Sequence, residues 1–364
     1  MRFFIAILAL FLTNSLLHSN SFNQLQQRIV EIFEQKQKSV VRVKAVFNQS
    51  NKEKDDKFTL MIGSGFFIGS EGLIITTTTT LINSKRKAER VWVEWNNQAI
   101  RAEILGHDRL TNISILKVES LPEGASFFNL DNTFTPTAIG SFALSIGCTL
   151  NFDPSPTLGI VKGYHSRFGV RVFPTKLMRT SIPGGPAESG SPVMDLNGSL
   201  LGVLVTFLPE VHSTLVLPVN AILRIRDDLL NLGYVNHAWF GIKVSVKELG
   251  QVVVDKIEEG SPAKKGKLLK GDRILKINNT PIKNIEDVRT VTFGTRPDKY
   301  SIFKVLRDLK EIDITIQAAA LPKSKNSTQS KIIQPNGKSS KPSQSNEPES
   351  HLKTNKISEV PSVN

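Results

Sequence analysis

The sequence predicts a mainly β protein in which a large all-β domain is followed by a smaller α+β domain. Two observations predict it. Between positions 40 and 219 the chain consists of short apolar and β-branched stretches separated by clusters of Gly, Pro, Asn and Ser, which is typical of a β-sandwich or a pair of β-barrels. Between positions 239 and 317 similar stretches alternate with helix-like ones. A chain of 364 residues with 40% hydrophobic content is long enough to bury both cores.

The start of the chain has the order of a secretory signal. A basic second residue is followed by an apolar run at positions 3–12 and then by polar residues as far as Ser21. The apolar run is shorter than the roughly 20 residues that cross a bilayer. We therefore predict a signal peptide at residues 1–21, cleaved near Ser21, and an exported protein. The alternative is an uncleaved anchor that extends through Leu17.

In chain order, the first predicted element of the mature protein is a helix, because apolar residues recur at helical spacing between positions 22 and 38. Short strands follow it. They are predicted at Val40–Val46, Leu60–Ile68, Leu73–Ile75, Val91–Trp95, Ile113–Val118, Phe142–Ile146, Gly159–Gly163, Val170–Phe173, Leu200–Phe207 and Thr214–Leu217. A second helix is predicted from Asn220 to Leu232, where Gly233 ends it.

The α+β domain is predicted to mix strands with two helices over roughly 80 residues. Its predicted strands are Val252–Ile257, Arg273–Ile277, Ile302–Leu306 and Ile312–Ile316, and its predicted helices are Pro262–Leu268 and Ile285–Val291. Residues 321–364 are rich in Ser, Lys and Pro and lack Phe, Trp and Tyr. We predict a disordered tail there, because such a segment buries too little apolar area to offset the entropy lost on ordering.

Charge and cysteine content exclude several classes of function. The net charge is +13, but the Lys and Arg residues are scattered and no aromatic residues are interleaved with a basic stripe, so no nucleic-acid partner is predicted. Peripheral contact with an anionic membrane surface, or with acidic partners, is the looser alternative. The single cysteine, Cys148, excludes an intramolecular disulfide and a cysteine metal cluster. No nucleotide, haem or metal motif is present, and we predict neither cofactor nor metal.

The motif that carries most information is the loop at positions 184–192, Gly-Gly-Pro-Ala-Glu-Ser-Gly-Ser-Pro, which resembles the serine loop of a trypsin-like protease. A serine hydroxyl is a poor nucleophile unless a neighbouring base takes its proton. Upstream, where such a protease has its histidine, this chain has Ile-Ile-Thr-Thr-Thr-Thr-Thr at positions 74–80. The sequence therefore has a nucleophile position, Ser189, without the usual base.

The order of several motifs resembles the HtrA (DegP/DegQ/DegS) family of serine proteases. The upstream motifs are Gly-Ser-Gly-Phe at 63–66, Gly-Leu-Ile-Ile-Thr at 72–76 and the serine loop; the downstream ones are Trp-Phe-Gly-Ile at 239–242, Gly-Ser-Pro-Ala at 260–263 and the run at 269–278. The resemblance covers about residues 24–317. It implies a trypsin-like double β-barrel, with the N-terminal helix, at residues 22–235, a PDZ domain at 236–320, and often a trimer.

Carried over position by position, the resemblance implies a degenerate catalytic set. The histidine position holds Thr79 and the aspartate position holds Asn112, while Ser189 keeps its identity. Ala187 replaces the glycine whose N–H helps to form the oxyanion hole. Removing the base of a triad typically lowers turnover by about a million-fold. Losing one oxyanion donor lowers it by roughly a hundred- to a thousand-fold.

Three functions follow from this resemblance. The first is an exported pseudoprotease of the periplasm or cell envelope, a scaffold, chaperone-like holder or regulator that binds peptides or unfolded proteins without cutting them. The second is an active endopeptidase in protein quality control, in which Ser189 uses a non-standard base such as His107, Glu188 or a lysine. The third is a purely structural envelope protein.

The PDZ-like motif departs less from its family. There, an extended peptide adds a strand to a sheet edge, and backbone N–H groups capture its terminal carboxylate. Trp239, Phe240, Gly241 and Ile242 match the carboxylate-binding loop, although the two aromatic residues are also typical of a domain core. The implied partners are C-terminal or unfolded protein segments, with a homotrimer or an active paralogue as further protein partners.

Overall fold

The computed structural model describes residues 22–49, 57–83, 86–130, 137–169 and 171–322, which all belong to one compact unit. The predicted signal peptide and the predicted tail beyond Pro322 lie outside the described residues. A helix, α1, spans residues 22–36 as expected from its apolar spacing, and its buried Ile32 packs into the core that joins the two barrels.

The first half of the β domain is a closed barrel of six strands in the order β1-β2-β3-β8-β7-β6. These strands are β1 (Val40–Gln49), β2 (Lys57–Phe67), β3 (Leu73–Thr77), β6 (Arg90–Trp95), β7 (Gln98–Asp108) and β8 (Ile113–Lys117). A one-turn helix α2 (Thr78–Leu81) and the two-residue strands β4 (Ile82–Asn83) and β5 (Arg86–Lys87) lie between β3 and β6. Val43, Phe67, Ile74 and Leu116 are completely buried inside the barrel.

The second half is also a closed barrel of six strands, in the order β10-β11-β14-β13-β12-β9. Its strands are β9 (Phe142–Gly147), β10 (Ser155–Phe168), β11 (Arg171–Thr180), β12 (Pro192–Met194), β13 (Leu200–Leu208) and β14 (Ser213–Pro218). Helix α3 (Val219–Leu232) follows and packs its Ile222, Ile225 and Leu229 against both barrels. Full burial of each such side chain contributes about 1.5–3 kcal/mol.

The C-terminal domain is a sheet with a short and a long helix. Its elements are β15 (Ala238–Trp239), β16 (Ile242–Val246), β17 (Val252–Ile257), α4 (Pro262–Lys265), β18 (Arg273–Ile277), β19 (Thr280–Pro281), α5 (Ile285–Gly294), β20 (Tyr300–Arg307), β21 (Lys310–Gln317) and β22 (Ala319–Ala320). The main sheet has the order β16-β17-β18-β20-β21, so β16 is an edge strand. The rings of Phe240 and Phe303 meet edge to face at 5.3 Å in the core.

The predicted fold class, a mainly β double barrel followed by an α+β domain, is confirmed. Two helix ends differ from the prediction. The helix predicted at Pro262–Leu268 ends at Lys265, because Lys267 has φ +62° and leaves the helical region. The helix predicted at Ile285–Val291 continues to Gly294, and the side chain of Asn284 begins it by accepting the N–H of Asp287 at 2.9 Å. Among the described residues, no helix has the length and apolar character needed to cross a membrane.

Candidate functional site

The structure brings Thr79 and Asn112 into direct contact. Thr79 lies in α2, directly after β3, and Asn112 lies in the turn between β7 and β8 with φ +62°, a conformation that asparagine tolerates. The Thr79 N–H donates to Asn112 Oδ1 at 2.9 Å, and Asn112 Nδ2 donates to Thr79 Oγ1 at 3.2 Å. Neither side chain gains or loses a proton near neutral pH, so this pair supplies no general base.

The remaining threonines around this pair form a network of hydroxyl hydrogen bonds. Thr76 Oγ1 donates to the Ser64 carbonyl at 2.8 Å, and Thr78 Oγ1 donates to the Ile113 carbonyl at 2.9 Å. The Thr77 and Thr80 hydroxyls are 3.0 Å apart. Because these hydroxyls are buried and each has a hydrogen-bond partner, they fix the conformation of the segment.

Strand β13 connects the Thr79–Asn112 pair to the serine loop. The carbonyl of Val205 accepts Asn112 Nδ2 at 2.8 Å, and the carbonyl of the preceding residue, Leu204, accepts the N–H of Gly190 at 2.8 Å. The pair and the loop are therefore held by consecutive residues of one strand.

Ser64 on β2 holds the serine loop from the other barrel. Its N–H donates to the carbonyl of Ser189 at 3.0 Å, and its hydroxyl donates to the carbonyl of Ala187 at 2.8 Å. A Cβ at Gly190, which has φ +99°, would overlap the Ser64 carbonyl, so glycine is required after the serine. The role of Ser64 in positioning the loop is not visible in the sequence, although it lies in the Gly-Ser-Gly-Phe motif.

Ser189 itself is half-buried. Among the described residues, neither its hydroxyl nor its N–H has a hydrogen-bond partner, and the Ala187 N–H has none. Ala187 has φ +69°, in the left-handed region that its Cβ disfavours by roughly 1–2 kcal/mol. The loop therefore holds Ala187 in a backbone conformation that suits glycine better.

The carboxylate of Glu188 turns back into the loop. Its oxygens accept the Gly185 N–H at 2.7 Å and the Thr149 hydroxyl at 2.9 Å. Its carbonyl accepts the Ser191 hydroxyl at 2.6 Å. Glu188 thus stabilises the loop, and no hydrogen bond joins its carboxylate to Ser189.

Histidines lie elsewhere in the described chain. His107 is on β7, where burial lowers its pKa and the nearby Arg109 and Lys87 lower it further. Among the described residues, the His107 imidazole has no hydrogen-bond partner, although the backbone of His107 belongs to the β7–β8 ladder. The structure does contain a His–Asp pair, since His237 Nε2 lies 3.0 Å from Asp108 Oδ1, but it sits at the junction with the C-terminal domain.

The second candidate site is the loop between β15 and β16. Gly241 has φ +74°, and a Cβ there would overlap the Cβ of Ser261, so only glycine fits. Phe240 is 3% exposed and belongs to the core, whereas Trp239 is half-buried and pairs with Ala319. Within the described chain, the N–H groups of Phe240 and Gly241 have no acceptor.

This loop continues into the edge strand β16, and that edge together with the neighbouring helix α5 is called the groove. That strand pairs with β17 on one side only, so its other edge has unpaired backbone groups. Helix α5 lies beside it, and Ile242 and Val244 are half-buried against the domain core. The arrangement can accept an extended peptide as an additional strand. In the described part of the chain, no cluster of three or more His, Cys, Asp or Glu residues is arranged to hold a metal ion.

Comparison with known proteins gives two matching domain families in the same order. The profile of the trypsin-like peptidase domain matches residues 63–203, and that of the PDZ domain matches residues 238–318. A probable periplasmic serine endoprotease, DegP-like, from Pseudomonas savastanoi pv. phaseolicola is 25% identical over 281 residues, which are 72% of this chain and 57% of the relative. One from Hahella chejuensis is 24% identical over 276 residues, 71% of this chain and 57% of the relative.

The chain is HtrA/DegP-like, a trypsin-like peptidase domain followed by a PDZ domain. Solved structures show the same fold. The HtrA-type protease AlgW with a tripeptide matches with a TM-score of 0.66 at 20% identity. The matched region covers 81% of this chain and 98% of the AlgW chain. The serine endoprotease from Yersinia pestis has a TM-score of 0.58 at 22% identity and covers 81% and 98%.

This HtrA-like chain spans 57% of the length of these two curated relatives. Its two candidate sites lie in different domains of the shared fold. Thr79, Asn112, Ala187 and Ser189 are gathered where the two barrels meet, and the loop at 239–242 begins the PDZ domain.

Proposed function

We propose that this HtrA-like protein binds peptides or unfolded proteins and does not cleave them. One observation carries the proposal: the Thr79–Asn112 pair lies beside the Ser189 loop, held by Val205 and Leu204, and it contains no group that titrates near neutral pH. On this proposal Thr79 occupies the histidine position and Asn112 the aspartate position. Ala187 occupies the oxyanion position.

The ligand that fits the second site is a polypeptide with a free, apolar C-terminus. The unpaired edge of β16 supplies main-chain hydrogen bonds, and the N–H groups of Phe240 and Gly241 supply donors for a carboxylate. The AlgW structures with a tripeptide and a decapeptide make a peptide the ligand to test first. Unfolded proteins would be bound through the same groove.

The names of the relatives and the net charge support further proposals on location and contacts. The relatives are named periplasmic, which together with the signal-like start supports the periplasm for this chain. We propose association with further copies or with an active paralogue, as the family resemblance implies. Light scattering after gel filtration would separate a monomer from a homotrimer. The charge of +13 supports peripheral contact with an anionic membrane surface, which vesicle co-sedimentation would test.

A specific observation favours the alternative, a true endopeptidase. The Ser189 hydroxyl and the N–H groups of Ala187 and Ser189 are unoccupied in the described chain, as a working loop would need. The two functions are separated by incubating residues 22–364 with unfolded casein and with labelled decapeptides that end in a free Val, Leu or Phe. Binding of the free-acid peptides but not of their C-terminal amides, with intact casein, supports the proposal. Casein cleavage that disappears in Ser189→Ala would refute it.

A further inference from the structure

Helix α5 packs against elements of both domains. On one side it lies beside β16 and forms a wall of the peptide groove; on another it packs against β11 of the second barrel. The position of α5 therefore depends on contacts with the second barrel as well as on contacts within the PDZ domain.

The N-terminal end of α5 is tied to the barrel by Asp287. Its Oδ1 lies 2.6 Å from the ammonium of Lys176 on β11, and its Oδ2 accepts the N–H groups of Lys283 at 2.9 Å and Asn284 at 3.2 Å. Burial acts to raise the pKa of Asp287, but Lys176 and the two N–H groups outweigh it and keep that pKa below the ordinary value. Asp287 therefore caps the helix and anchors it with one carboxylate.

The next turn of α5 is hydrogen-bonded to Ser166, a residue of β10. The side chain of Ser166 is fully buried. Arg289 Nη1 donates to the Ser166 carbonyl at 2.9 Å and is 3.0 Å from its hydroxyl. The same hydroxyl lies 3.3 Å from Glu286 Oε1. Both side chains on α5 reach across the domain boundary to one residue.

The C-terminal end of α5 is held by aromatic contacts. The Phe293 ring lies 5.1 Å from the Arg224 guanidinium on α3 and 5.8 Å from the His237 ring. Arg224 Nη2 donates to the Thr295 carbonyl just beyond the helix at 3.4 Å. His237 in turn bonds to Asp108 of β7.

We propose that Lys176, Ser166 and His237 are positioning residues of the peptide groove. They hold α5 against the barrels, so that the wall of the groove is ordered before a peptide arrives and less entropy is lost on binding. The barrel domain, which lacks a base, then has a role in binding affinity. The inference rests on the proposed function, since it concerns the affinity of the same groove.

The test uses residues 22–364 and fluorescein-labelled decapeptides that end in a free Val, Leu or Phe, with fluorescence anisotropy as the readout. We expect Lys176→Met to weaken binding by about three- to tenfold. Ser166→Ala should give a similar loss. Lys176→Arg, which keeps the ion pair, should restore affinity to within about twofold of wild type. The matched control is Lys276→Met, which removes the same charge from an exposed position on β18 and should bind as wild type does.

Hydrogen exchange measured by mass spectrometry gives a second readout that needs no ligand. The α5 amides should exchange faster in Lys176→Met and Ser166→Ala than in wild type or in Lys276→Met. Folded variants with unchanged affinity and unchanged α5 exchange would overturn the inference while leaving the proposed function intact. Tighter binding by the variants would also overturn it, because the contacts would then be restricting the groove. A wild-type protein that binds none of the peptides would contradict the proposed function, and the inference with it.

Discussion

Thr79 and Asn112 are joined by two hydrogen bonds, from the Thr79 N–H to Asn112 Oδ1 at 2.9 Å and from Asn112 Nδ2 to Thr79 Oγ1 at 3.2 Å. Asn112 Nδ2 makes a second hydrogen bond, which it donates to the Val205 carbonyl at 2.8 Å. An aspartate here would have no proton to donate to that carbonyl at neutral pH. The site is thus adapted to an uncharged pair.

The first prediction concerns the stability of this pair. Asn112→Asp would place a carboxylate oxygen against the Val205 carbonyl without a donor between them. We expect it to lower the free energy of unfolding by about 1–3 kcal/mol. Urea denaturation would measure the loss. Asn279→Asp, in an exposed turn, is the control and should have little effect. An Asn112→Asp variant as stable as wild type would contradict the account of the pair.

The second prediction concerns restoring the missing base. Thr79→His combined with Asn112→Asp would give Ser189 an imidazole and a carboxylate that stabilises its protonated form. Since loss of the base lowers turnover by about a million-fold, the double variant should cleave unfolded casein at least about a hundredfold faster than wild type. The same double variant with Ser189→Ala must be inactive. A folded double variant with no Ser189-dependent cleavage would show that the loop has lost more than its base.

The third prediction concerns the strained loop residue Ala187. Glycine adopts a φ of +69° without strain, so Ala187→Gly removes strain from the folded state. The same substitution raises the conformational entropy of the unfolded chain, which acts against stability. The net effect should be a gain of about 0.5–1 kcal/mol in the free energy of unfolding. Ala143→Gly on β9, where the residue is buried in a strand, is the comparison and should destabilise the protein. A loss of stability in Ala187→Gly would mean that the methyl group makes contacts that outweigh its strain.

The fourth prediction concerns acid. Burial acts to raise the pKa of Asp108, but the hydrogen bonds from His237, the Thr111 hydroxyl and the Leu110 N–H outweigh it, and the pKa lies below its ordinary value. A carboxyl whose pKa is lower in the folded state stabilises the protein above its unfolded pKa of about 4 and loses this effect as the pH falls through the folded pKa. Stability should therefore fall as the pH drops below about 4, and less steeply in Asp108→Asn.

Urea denaturation across this pH range measures that difference. The control is Asp298→Asn, an exposed residue that should keep the wild-type slope. If Asp108→Asn kept the full acid dependence of wild type, the Asp108 carboxylate would not contribute to the loss of stability in acid, and this prediction would be wrong.

The sequence predicts the fold well where patterns are local. The strands from Val40 onward and helix α3 lie where their apolar spacing indicates. Strand β7 was not predicted, because Arg101, Glu103 and Gly106 interrupt its alternation although the strand is paired along its length. Strand β16 was missed as well, since it is a short, partly exposed edge.

In the candidate site too, the sequence identifies some residues, whereas other contacts are visible only in the structure. Counting positions along a resembling family singles out Thr79 and Asn112, and the structure places the two residues in contact. The bond from Ser64 to Ala187, 123 positions apart, and that from Lys176 to Asp287, 111 positions apart, depend on tertiary packing that no local pattern encodes. The anchoring of α5 therefore emerges only from the structure.

The central claim is that Ser189 has no base, and a fluorophosphonate probe tests it most directly. Residues 22–364 would be treated with the probe, and the mass of the intact protein and of its peptides would be measured beside Ser189→Ala. The account predicts no adduct on Ser189 in a folded protein that binds peptides. An adduct on Ser189 that is absent from Ser189→Ala would contradict it and show that the hydroxyl is activated.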